Sequence, residues 1–171
     1  MSFLSRILGK RGDGRAHVRP LWHRTVEIAR EKAWYADCGI ADTVPGRFDA
    51  ITLVLSLVLL RMEREQALIE PSVRLTEIFV EDMDGQLRES GVGDIVVGKK
   101  IGKLMSVLGG RLGAYRDALP LGEAAMTEAV IRNVTLVEGA DPAKAVQRAL
   151  ALAGQLGALS AEEVLAASFA R

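Results

Sequence analysis

One stretch constrains this chain more than any other: eleven residues, Ala50 to Leu60, carry no charge, and only Thr52 and Ser56 bring a polar side chain. As a helix this stretch rises about 16 Å at 1.5 Å per residue, well short of a ~30 Å hydrocarbon core. Extension meets Arg47 and Asp49 on one side and Arg61, Glu63 and Arg64 on the other. Charges at a bilayer centre cost ~2.5–3.5 kcal/mol each, so a membrane span is not expected. A helix apolar nearly all round is buried on most sides. The expectation is a central core helix, with Asp49, Thr52, Ser56 and Glu63 as one thin polar line. A second reading stays open, in which part of the helix around Thr52 and Leu55 lines a groove for an apolar partner segment.

Such a helix needs others to enclose it, and the periodicity supplies them. Pro20 suits a helix start, and Leu21, Trp22, Val26, Ile28, Ala33 and Trp34 recur at helical spacing to about Ala36. A loop "DCGIADTVPGR" follows, then the apolar helix from Phe48 to about Leu68, stopped before Pro71. A third helix runs from Pro71 to "GVGD", where Asp94 stands at the N-cap of a fourth, reaching about Ala118. Val97, Ile101, Leu104, Met105, Leu108, Leu112 and Tyr115 form its apolar face. Later helices read as Leu121–Val137, Pro142–Leu156 capped by Asp141, and Ala161–Ala170 capped by Ser160. No period-2 run supports a sheet. The fold expected is all-α, a single-domain bundle of about six to seven helices over residues 18–171.

Residues 1–17 read as a separate basic and flexible tail, jointed at Gly9, Gly12 and Gly14. Six basic residues face one acid, Asp13, between residues 1 and 24, although the whole chain is neutral. Phe3, Leu4, Ile7 and Leu8 fall at helical spacing beside Arg6, Lys10 and Arg11. A frayed tail and an amphipathic helix lying on anionic lipid both fit that pattern. Neutral net charge gives no signal for DNA. The single cysteine, Cys38, excludes an intrachain disulfide and fits a reducing compartment.

Signals for chemistry are weak. "GDIVVGKK", Gly93 to Lys100, meets seven positions of the phosphate-binding G-x-x-x-x-G-K-[ST] loop, but Lys100 replaces the magnesium-binding hydroxyl and no buried strand precedes it. Glu77, Glu81 and Asp84 fall at i, i+4 and i+7, the spacing of a solvated helix stripe. His17, His23 and Cys38 have no zinc-site spacing. Neither a cofactor, a metal nor an active site is expected. Lys99, Lys100, Lys103 and Arg111 gather on one arc of the fourth helix, which reads as a solvated face or as a docking surface for an acidic partner.

Read together, Asp82-Met83-Asp84, Leu87-Arg88-Glu89, Gly91-Val92-Gly93-Asp94, Val97 to Lys103, Gly110-Arg111 and Ala114-Tyr115 form an ordered set. With "YADCGIADTVPGRFDAITLVLSLVLLRM" upstream, it resembles the ubiquinol–cytochrome c chaperone family over about residues 20–140. The family's aromatic-Gly-Arg triplet reads Gly109-Gly110-Arg111 here. The resemblance implies a non-enzymatic all-α chaperone that binds cytochrome b and assists assembly of the bc1 complex. It also implies a cytoplasmic protein, peripheral at the inner membrane, and the short tail suits a bacterial member. Candidate partner-binding residues are Asp94, Lys99, Lys100, Lys103, Arg111, Tyr115, Thr52 and Leu55, with the ribosome or an anionic membrane surface as further partners. A helical scaffold without a membrane client, or a nucleotide-binding protein using Gly93–Lys100, are the competing expectations.

Overall fold

In this computed structural model the described residues are 14–89 and 94–169, with the backbone alone described at 86–89 and 94–101. The amphipathic stretch at residues 3–11, and Gly93 of the phosphate-loop pattern, lie outside them. Among the described residues eight α-helices follow in order: α1 (Arg19–Ala29), α2 (Lys32–Ala36), α3 (Val44–Met62), α4 (Gln66–Glu89), α5 (Asp94–Ala118), α6 (Glu123–Asn133), α7 (Ala143–Ala158) and α8 (Ala161–Leu165). They pack as one helical domain, and among the described residues the only strand-like pairing is a single bridge between Ile40 and Leu136.

The apolar stretch lies at the centre, as α3. Every residue from Asp49 to Met62 is buried. Helices α1, α4, α5 and α7 all contact it, so it has a neighbour on each side. Fully burying a Leu, Val or Ile contributes about 1.5–3 kcal/mol, which makes this helix the largest apolar investment in the fold. Among the described residues no helix is long and apolar enough to cross a membrane.

The boundaries of α3 differ from expectation at both ends. It starts at Val44, because Thr43 Oγ1 accepts from the Gly46 N–H and Pro45 occupies the first turn. Gly46 is needed there: a Cβ would lie 1.9 Å from the Ala41 carbonyl oxygen. It ends at Met62, and α4 begins at Gln66, so Pro71 sits inside α4 rather than at its start. The break falls at the charged Glu63–Glu65 segment. Arg61, which bounds the apolar run in sequence, is itself buried. Its guanidinium donates to the Leu156 and Leu159 carbonyls at 3.0 and 2.6 Å, at the end of α7 where carbonyls lack intrahelical N–H donors.

The first expected helix is two. It breaks at Arg30–Glu31, and the indole of Trp34 turns inward to donate to the Ile28 carbonyl at 2.9 Å. Tyr35 Oη donates to Ala29 in the same way, at 2.7 Å. Both bonds engage carbonyls of the last turn of α1, where intrahelical donors run out; the Ile28 carbonyl also accepts from the Glu31 N–H at 3.1 Å. Trp22 and Trp34 are therefore core residues. Helix α6 is shorter than Leu121–Val137, because Leu119–Leu121 form a 3-10 turn and Gly122 adopts a φ of +88°. At its other end Val134 is extended, and the Ala41 N–H donates to Thr135 while Val137 N–H donates to Gly39. These bonds hold the α6–α7 loop against the loop preceding α3. Helix α8 stops at Leu165, short of Ala170, behind a capping box of Ser160 and Glu163. Asp141 accepts from the Ala143 N–H at 2.9 Å, so its carboxylate serves the start of α7.

Candidate functional site

The thin polar line of α3 is where α5 grips it. Asp49 and Arg111 form an ion pair of 2.6 Å, with side-chain exposures of 6% and 15%. The same guanidinium donates to Thr52 Oγ1 at 2.5 Å and lies 5.3 Å from the centre of the Phe48 ring. On its other oxygen Asp49 accepts from the Thr135 N–H at 2.8 Å and from Thr135 Oγ1 at 2.6 Å. One carboxylate thus joins α3, α5 and the α6–α7 loop through charge-assisted bonds. Thr52 passes a bond on to the Asp49 carbonyl, and Ser56 donates to the Thr52 carbonyl.

Above this network opens a cleft of about 590 Å³. Pro45, Phe48, Leu104, Val107 and Val134 give it an apolar floor, and Lys103 and Arg132 stand at its edges. Both cationic residues are exposed. Such a surface can hold an apolar segment and meet acidic groups beside it, which is a binding arrangement. Among the described residues no group of three or more His, Cys, Asp or Glu could hold a metal ion. Cys38 is buried, and that burial pushes its thiol up, away from the reactive thiolate.

The sequence candidates divide sharply here. Arg111 and Thr52 are brought into direct contact, and Lys103 shares the cleft with Arg111. Thr52, Leu55 and Tyr115 are fully buried. The expectation that α3 offers Thr52 and Leu55 to a partner is therefore corrected: both are enclosed in the core, and Thr52 is met by Arg111 of α5. Tyr115 is corrected likewise. Its phenol is pushed well up by burial, with the Asp49 charge adding and Arg111 opposing, and its oxygen has no hydrogen-bond partner among the described residues. Arg111 lies largely within the ion pair rather than on a solvated arc. Met105, expected on the apolar face of α5, is 38% exposed. The side chains of Asp94, Lys99 and Lys100 lie outside the described residues. Sequence reasoning missed Phe48, Arg132, Asn133 and Thr135; the loop that delivers Thr135 beyond the end of α6 is positioned only by tertiary bonds.

Residues 36–170, which include the whole cleft, match the model of the family described as ubiquinol-cytochrome C chaperone. The chain belongs to that family. It is also similar in fold to a crystal structure of the Cbp3 homolog from Brucella abortus, with a TM-score of 0.79 and 31% sequence identity over 97% of this chain and 94% of that one. Among curated proteins no match is found. The family match begins two residues before Cys38 and takes in every helix from α3 to α8, so the residues of the Asp49 network fall within the matched range.

Proposed function

We propose that this protein is a non-enzymatic assembly chaperone for the ubiquinol–cytochrome c reductase (bc1) complex, and that its client is cytochrome b. Family membership across residues 36–170 carries the reading. The cleft supports it, because an apolar floor between Lys103 and Arg132 suits an apolar client segment with acidic or phosphate groups at its border. In this proposal Lys103 and Arg132 touch the client or the lipid headgroups beside it, and Arg111 holds the floor in shape through Asp49. The same proposal takes Asp94, Lys99 and Lys100, earlier on α5, as further client contacts. The protein works at the cytoplasmic face of the inner membrane, near the site where the client is inserted.

Deletion of the gene tests the role, and a photo-reactive residue tests the surface. Deletion is expected to lower assembled bc1 complex and haem b, and normal levels of both would refute the chaperone reading. Benzoyl-phenylalanine at Lys103 is expected to capture cytochrome b in cells. Capture from an α7 position such as Gln155, with none from Lys103, would move the contact elsewhere.

A further inference from the structure

A second groove, of about 720 Å³, lies on another side of α5, between that helix and α4. Leu59, Val73, Val80, Met105 and Leu112 line it with apolar surface. Val73 and Met105 are 53% and 38% exposed, which leaves an open apolar strip along the groove. Its rim carries four acids, Glu63, Glu77, Glu81 and Asp84, against three arginines: Arg15 in the lining, and Arg116 and Arg74, which pair with Glu63 and Glu77. Arg15 comes from the turn preceding α1, and it pairs with Glu81 at 3.0 Å. Gly14 packs beside Arg74, where a Cβ would lie 3.6 Å from Nε, and Arg74 itself bonds Glu77 on the rim. The described chain therefore begins at the edge of this groove.

Thirteen residues precede that point. Phe3, Leu4, Ile7 and Leu8 recur at the spacing of one helix face, and Arg6, Lys10 and Arg11 accompany them. Apolar stripe meets apolar floor, and basic flank meets the carboxylates of the rim. Gly12 and Gly14 allow the reversal that folding back requires. Residues 3–11 as a helix span about 13 Å, within the length of the ~36 Å α4 against which they would lie. We propose that the chain's own first segment, residues 1–13, seats Phe3, Leu4, Ile7 and Leu8 in the α4–α5 groove as an intramolecular helix-in-groove contact. Arg15–Glu81 is the first ion pair of that series. The proposal is independent of which client the opposite cleft takes.

The test uses the full chain carrying Ser5→Cys and Cys38→Ala, with a nitroxide on the new cysteine and ¹⁵N in the backbone. Loss of amide intensity is expected at Val73, Thr76 and Met105, with recovery when Leu4 and Leu8 are changed to Ser. An unperturbed groove overturns the proposal. So does intensity loss that persists in the Leu4→Ser/Leu8→Ser chain, since that reads tethering rather than docking. Mixing labelled ¹⁴N chains with unlabelled ¹⁵N chains exposes a second copy as the occupant, which also overturns it. A segment that leaves the groove unperturbed but sediments with vesicles of anionic phospholipid in a Leu4- and Leu8-dependent way belongs to lipid instead. Should Cys38→Ala fail to fold, benzoyl-phenylalanine at Leu8 in the otherwise native chain gives the same answer, by an intramolecular adduct to α4 or α5 or by its absence.

Discussion

Two ion pairs of nearly equal length tie α5 to α3 and to the residue that caps its end, Glu63, and they do different work. Asp49–Arg111 is 2.6 Å long and nearly sealed from solvent, while Glu63–Arg116 is 2.7 Å long with side-chain exposures of 39% and 47%. The sealed pair is completed by Thr52 and by two bonds from Thr135. Removing one partner would leave a charge stranded in a poor dielectric. The open pair is bidentate, with both guanidinium nitrogens on the carboxylate, yet water can replace either partner. Distance alone does not distinguish them. Burial and the number of completing bonds do, and they make Asp49 a residue of architecture and Glu63 a residue of a groove rim.

Asp49→Ala should give the largest effect, a fall in stability of about 3–5 kcal/mol, read from the urea midpoint. A loss below ~1 kcal/mol would mean that water reaches Arg111 and that the two pairs are alike. Replacing both partners, Asp49→Leu with Arg111→Met, should recover most of that loss, and the double-mutant cycle measures the coupling. Tyr115→Phe should be neutral or stabilising by about 1 kcal/mol, because it removes a buried hydroxyl left without a partner among the described residues. It should also change the alkaline limb. The folded phenol is raised, so the neutral form is favoured in the native state; its contribution is present below pH ~10 and is lost as pH rises past the unfolded value. The Phe variant should show a shallower decline above that pH by chemical denaturation. Glu63→Gln should do least, within about 0–1 kcal/mol and diminishing with added salt. A large, salt-independent loss there would erase the distinction.

The near-uniform apolarity of Ala50–Leu60 is enough to place α3 in the core, because no periodic face is left for water. Its polar line was also legible: Asp49, Thr52 and Glu63 are the residues that α5 engages. The partners were not. Lys103 and Arg111 share an arc of a helical wheel, yet one points to solvent and the other into an ion pair, a difference set by which helix lies opposite. Thr135 reaches Asp49 only because backbone bonds tie its loop to Gly39 and Ala41. Pro71 misled as a stop signal, since a proline early in a helix removes one bond without ending it. Trp34 lay on a continuous apolar stripe, but a donor seeking the Ile28 carbonyl favours a break before it.

The enclosure of α3 has a consequence in time. Its covering is not local: α7, which contacts it, ends at Ala158, about a hundred residues after the apolar run. At ordinary rates of synthesis, roughly 5–20 residues per second, the run emerges about 5–20 s before α7 is complete. During that interval the most aggregation-prone segment of this chaperone is on display to the nascent-chain machinery. A member of a chaperone family thus exposes, while it is being made, an apolar segment of its own.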